Sequence, residues 1–202
     1  MTDDQITDFI SETRTFLRDF KIKELLDLKS NEFKILKPKR GIFSFLYKGW
    51  RKIDELSELG GIITGSTALS LYRFNGQPLI NRKTNDWDIL LSKENFLKFC
   101  GLNNLSNFYY DKDRIMINLS SGIFVGNYGY HETYPHYILK HDIDLIAKSK
   151  LPEYVKVGQY RIATLEHIIH EKLDMIEKNK RGQAKHIEDC NLIITKLHAY
   201  AK

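Results

Sequence analysis

An α/β fold is predicted for this 202-residue chain: a small mixed sheet flanked by helices, with helical N- and C-terminal elements. Three stretches predict it. Ile62-Ile63 reads as a short buried strand that runs through a Thr64-Gly65-Ser66 turn into a helix, with Ala68, Leu69, Leu71 and Tyr72 spaced for packing. Thr84 to Leu91 alternates, so Asp86 and Asp88 share one face while Trp87 and Ile89 point into a core. Leu165, Ile168, Ile169, Leu173 and Ile176 recur at helical spacing. Strand-like and helix-like periods interleaved along one chain are what an α/β architecture requires.

In chain order, residues 4–28 carry the stripe Ile6, Phe9, Ile10, Phe16 and Leu17 of one or two helices. Lys37-Pro38-Lys39-Arg40-Gly41 reads as a linker, because Pro and Gly punctuate it. Residues 1–48 are thus a helical extension and linker, and 49–202 the main domain. A helix from about Gly49 to Leu59 leads into the Gly60-Gly61 turn, and the helix after Ser66 is expected over 67–74. Ser92 is placed to cap a helix through Phe99. Arg114 to Leu119 alternates as a strand. Gly122 to Tyr137, with three glycines and Tyr128, Tyr130, Tyr134 and Tyr137, reads as an irregular segment or hairpin. Its tyrosines suit either a nucleobase stack or packing beneath a long loop. His141 to Ala147 is a strand with Asp142, Asp144 and Ile146 on one face. Glu153 to Ile162 is read as one further strand. Thr164 is the N-cap of the first C-terminal helix. After Gly182, Ile187, Cys190, Ile194 and Leu197 mark the second.

The chemistry resides in the first two stretches. A glycine in the turn lets backbone N–H groups approach a phosphate, and the following helix N-terminus favours negative charge. Asp86 follows Ser66 by twenty residues. Two carboxylates about 4 Å apart repel by roughly 4 kcal/mol at an effective dielectric near 20, so a divalent cation between them keeps both ionised. Mg²⁺ takes hard oxygen ligands and completes its shell with water and substrate phosphates. A pair of such ions clamps the attacking and leaving oxygens of an in-line displacement. The competing reading is a solvated strand end with a chance Asp-x-Asp.

Gly65-Ser66 followed by Asp86-x-Asp88 resembles the signature of the polymerase β-type nucleotidyltransferase superfamily. The resemblance implies a sheet of the nucleotidyltransferase type, Mg²⁺ or Mn²⁺ as cofactor and an NTP as substrate. It also implies a third carboxylate on a later strand, and Asp144, between Ile143 and Leu145, matches that apolar-Asp-apolar pattern better than Asp142. By this likeness Asp86, Asp88 and Asp144 are the catalytic and metal-binding residues, and Gly65 and Ser66 hold phosphates. Arg82 and Lys83 sit on the loop before the Asp strand, where they would meet acceptor or triphosphate.

The C-terminal helices narrow the likeness. Glu171-Lys172, Arg181 and Lys185-His186-Ile187-Glu188-Asp189 are similar in order to the abortive-infection (AbiE-type) toxin nucleotidyltransferases. That likeness extends over roughly Ile53 to Tyr200. It implies that Lys172 and Lys185 face the triphosphate and that Asp189 holds one of them. His186 and Ile187 stand where those proteins place an acidic residue, which is a departure. A solvated helix face with ordinary Lys and Glu is the competing reading. The likeness also implies a bacterial or phage-encoded cytoplasmic toxin, with tRNA or another RNA as acceptor and an antitoxin or other protein as partner. A catalytically silent protein of the same fold, serving as a binding or structural subunit, is the alternative.

Composition bounds these readings. At 42% hydrophobic, the chain can bury the core of one domain with an extension. No apolar run approaches the eighteen or so residues of a membrane span, and Met1-Thr2-Asp3-Asp4-Gln5 lacks the shape of a signal peptide. Cys100 and Cys190 have no metal-type spacing and read as reduced buried thiols. A formal charge of +5 is compatible with a nucleic-acid partner. Lys34, Lys37, Lys39, Arg40, Lys48, Arg51 and Lys52 interleave with Phe43, Phe45, Tyr47 and Trp50, and basic residues recur at Lys178, Lys180 and Arg181. The first stretch suits single-stranded RNA, or it docks the N-terminal region on the core.

Overall fold

Alternation sets the two central strands. The computed structural model describes residues 1–19, 49–74, 76–80, 84, 86–103, 105, 109–111, 114–120, 131–133, 142–178 and 183–200. The linker at 37–41, the basic stretch from Lys34 to Lys48, Arg82, Lys83, Arg181 and the four tyrosines between 128 and 137 lie outside the described residues. Strand β4 (Asp86–Ser92) and strand β8 (Asp142–Lys148) pair in parallel. Trp87, Ile89 and Leu91 of the first and Ile143, Leu145 and Ala147 of the second are all buried, as period-2 geometry requires. Leu90 and Ile146, on the other face, are buried too, so both faces are covered toward the C-terminal ends of these strands.

The rest of the sheet grows outward from this pair. Strand β1 (Ile62–Thr64) runs antiparallel to β4, and β10 (Tyr160–Ala163) runs parallel to β1. Beyond β10 the edge is β9 (Tyr154–Val157), antiparallel to it. On the other side β6 (Arg114–Ser120) pairs antiparallel with β8. Strands β5 (Tyr109–Asp111) and β7 (His131–Thr133) share the outer edge of β6. The result is a mixed sheet of eight strands among the described residues.

Residues 30–67 and 84–163 form this sheet unit, and residues 1–29, 68–83 and 164–202 form a second, mainly helical unit. In the sheet unit, helix α2 (Gly49–Glu58) is tied to the β9–β10 turn by hydrogen bonds. Ser57 Oγ donates to the Gln159 carbonyl at 2.6 Å, and Gln159 Nε2 and Tyr160 OH donate to Asp54 Oδ1 at 2.6 and 2.7 Å. Burial and the Asp54 carboxylate together push the Tyr160 hydroxyl well above the usual phenol range. Helix α4 (Lys93–Leu102) starts at Ser92, whose hydroxyl accepts from the Asn95 amide at 3.3 Å. It buries Phe96, Phe99 and Cys100, each aromatic contributing roughly 1.5–3 kcal/mol.

In the helical unit the predicted stripe from Leu165 to Ile176 is buried in full, whereas Ile6, Phe9 and Phe16 of the N-terminal stripe are only half-buried and the last stripe is shifted. Helix α1 (Asp3–Asp19) opens on a capping box, the Thr2 amide donating to Gln5 Oε1 and the Gln5 amide to Thr2 Oγ1. It buries Ile10, Thr13 and Leu17, while Arg14 forks to Asp174 and Glu177. Helix α5 (Leu165–Lys178), capped by Thr164, buries all five predicted apolar positions. In helix α6 (Gln183–Tyr200) the buried positions are Asp189, Cys190, Ile193 and Leu197. Ile187 and Ile194 are only half-buried, because the packed face is centred one residue earlier than the spacing from Ile187 suggests.

Two glycines relocate element boundaries. Helix α3 spans Gly65–Leu71, and the chain then turns through β2 (Arg73–Phe74), Gly76 at φ 76° and β3 (Gln77–Pro78), so the predicted helix to residue 74 ends early. The single strand predicted over 153–162 is the β9–β10 hairpin, reversed at Gly158 with φ 60°.

Candidate functional site

The site is built on the N-terminal ends of β4 and β8. Their register sets Asp88 directly opposite Asp144 and Asp86 opposite Asp142. Paired positions on neighbouring strands are about 4.8 Å apart and direct their side chains to the same face. Asp86, Asp88 and Asp144 are half-buried, whereas their neighbours Trp87, Ile89, Ile143 and Leu145 are in the core. Thr64 pairs with Asp88 on the other side, and Asn118 of β6 occupies the position across from Asp144. Thr64, Asp88 and Asp144 thus form a row of polar residues across three adjacent strands.

The turn meets this row at Gly65. Its φ is 67°, a left-handed conformation that costs other residues roughly 1–2 kcal/mol. A Cβ at this position would also collide with the Asp88 carboxylate. Gly65 is therefore required twice, once by the backbone and once by the carboxylate packed against it. Ser66, 6% exposed, and Thr64 and Thr67, each 2% exposed, enclose the turn. Thr67 Oγ1 donates to the Asp86 carbonyl at 2.5 Å and so fixes where β4 begins. Thr67 escaped the sequence reading: its partner lies nineteen residues away, and no local pattern announces such a bond.

Hard carboxylate oxygens suit Mg²⁺ or Mn²⁺. Among the described residues no three His, Cys, Asp or Glu side chains form a ready-made metal cage. Mg²⁺ does not need one, since one or two carboxylates with waters and substrate phosphates suffice. The donors fit that mode, with the facing pair Asp88 and Asp144 first and Asp86 one step along the same strand face. Helix α3 has seven residues and a correspondingly small dipole. A phosphate at this turn would therefore be met mainly by backbone N–H groups near Gly65 rather than by a helix dipole.

The other predicted residues lie in the helical unit. Lys172 on α5 is 4% exposed, and its Nζ donates to Asp189 Oδ2 on α6 at 2.8 Å, with side-chain exposures of 5% and 3%. Asp189 thus holds Lys172, and Lys185 is exposed near the start of α6. Beside this pair the Cys190 thiol is pushed up to about 12 by burial, with the Lys172 charge opposing the shift.

No family model matches the chain. No curated protein matches it either. Among solved structures it is similar to JHP933 from Helicobacter pylori, with a TM-score of 0.44 and 21% sequence identity. The match covers 73% of this chain and 64% of that one, so the chain spans less than two thirds of the structure it matches.

Proposed function

We propose that this chain is a divalent-metal-dependent nucleotidyltransferase of the polymerase β type, akin to the abortive-infection toxins, that moves an NMP group from an NTP to an acceptor hydroxyl: the hydroxyl oxygen bonds the α-phosphorus, the α–β phosphoanhydride bond breaks and pyrophosphate leaves. The observation that carries this reading is the pairing of Asp88 with Asp144 on neighbouring strands, with the Asp88 carboxylate packed against a turn at Gly65 that has no room for a side chain. Like charges at directly opposed positions on neighbouring strands repel. A fold that keeps them paired gains most when a cation binds there.

The residues divide the work. Gly65 and Ser66 bring backbone amides to the triphosphate. Asp86 and Asp88 supply metal ligands, and the metal, when bound, withdraws charge from the reacting phosphate. Asp144 would ligate metal or accept the proton of the attacking hydroxyl. Thr67 holds the start of β4, and with it the height of Asp86 above the turn. In this reading Asp189 positions Lys172, and Lys185 supplies an exposed cation for phosphate. The acceptor is an RNA 3′ end, tRNA in the toxin-like case, with a protein hydroxyl as the alternative; an antitoxin or other protein is the partner that the toxin likeness implies.

Labelled NTPs offered singly with Mg²⁺ or Mn²⁺ and total RNA test this. Label transferred by the wild type and lost in Asp88→Asn supports the enzyme. A metal-dependent NTP thermal shift without transfer selects the catalytically silent binder. Absence of both removes the reading.

A further inference from the structure

The far edge of the sheet carries a second cluster. Strand β9 alternates Tyr154 and Lys156 on one face. Tyr154 is 47% exposed, and Lys156 is exposed as well. Arg161 of β10 lies directly opposite Lys156 in the antiparallel register, and Tyr154 is opposite Ala163, one step along the same face. The Arg161 guanidinium sits 5.4 Å from the centre of the Tyr154 ring. Gly60, where φ is 83°, lies beside it, so that a Cβ there would meet the guanidinium nitrogen. Two like charges at directly opposed positions destabilise a sheet. Among the described residues neither Arg161 nor Lys156 has an ion pair or hydrogen bond that would offset this.

We infer that this β9–β10 edge binds single-stranded RNA, with Tyr154 stacking on a base and Arg161 and Lys156 neutralising phosphates. An anion between the two cations turns their repulsion into attraction. The contact with the Tyr154 ring already orients Arg161, which lowers the freedom it loses on binding. An exposed aromatic stacks on any base, which makes such an edge tolerant of sequence. Use of this edge for the acceptor strand rests on the nucleotidyltransferase reading; RNA binding itself does not.

Fluorescence anisotropy with a labelled all-uridine oligoribonucleotide, measured over a range of KCl concentrations, tests the surface. Tyr154→Ala should weaken binding roughly tenfold and leave the salt slope unchanged. Lys156→Glu and Arg161→Gln should weaken it and lower the slope by about 0.7 for each phosphate no longer neutralised. Tyr154 and Lys156 are exposed, so their variants keep the wild-type melting temperature and carry the test even if Arg161→Gln does not fold. Unchanged affinity in both, or no RNA binding by the wild type, overturns the inference. Competition by polyglutamate as effective as by RNA, with Tyr154→Ala silent, also overturns it and leaves a general anion surface. The NTP-dependent thermal shift is followed in the same variants. Its absence from the wild type would count against the proposed enzyme while leaving the RNA surface standing.

Discussion

Replacing Lys172 with Met should be among the most damaging single changes in the helical unit. The ammonium and the Asp189 carboxylate are 2.8 Å apart with side chains 5% and 3% exposed, so neither has water to fall back on. Removing one partner strands the other charge in a poorly polarisable interior, at a cost of about 3–5 kcal/mol. Folded proteins of this size are stable by roughly 5–15 kcal/mol, so the loss is a large fraction of the total. At about 2–4 °C per kcal/mol, the melting temperature should fall by roughly 6–20 °C. The double variant Lys172→Met/Asp189→Leu removes both charges, and apolar replacement of a buried pair is often neutral or stabilising. It should regain most of what Lys172→Met loses. Urea denaturation of wild type, both single variants and the double variant gives the coupling energy directly. A single-variant loss below about 1 kcal/mol, or a double-variant loss equal to the sum of the singles, would refute the buried-pair argument. The NTP-dependent thermal shift of the double variant then separates roles. If it is retained, the pair is scaffold; if it is lost despite regained stability, Lys172 also meets the nucleotide.

Three further outcomes are expected. Gly65→Ala should lower stability by more than the roughly 1–2 kcal/mol of a left-handed alanine, because its methyl meets the Asp88 carboxylate; adding Asp88→Ala should restore part of the thermal stability and none of the NTP-dependent shift. Asp144→Asn should cost at least about 10²-fold in transfer rate and Asp142→Asn much less; the reverse order in a single-turnover assay would mean that the working carboxylate is the strand's first residue. Cys100 and Cys190 are both buried, and burial pushes the Cys190 thiol up to about 12, so neither should react with a thiol reagent at pH 8 until the protein is unfolded; prompt labelling in native buffer would contradict the packing of α4 or α6.

What the sequence determines by itself is whatever depends on near neighbours. Alternation along β4 decides that Trp87 and Ile89 go inward and Asp86 and Asp88 do not, and the α5 stripe is complete for the same reason. Ser92 and Thr164 cap helices by bonding amides three residues away, a reach that a short window contains. Tertiary structure alone decides what depends on distant partners. The facing of Asp88 and Asp144 follows from strand register, which the intervening chain does not encode in any local period. The same holds for Thr67 with Asp86, for Lys172 with Asp189, and for Lys156 with Arg161 across a reversal that only the positive φ of Gly158 permits. Residues 193 and 194 illustrate the limit most simply. Both are isoleucine, a spacing rule accepts either, and only the direction from which neighbouring helices arrive buries Ile193 and leaves Ile194 half in water.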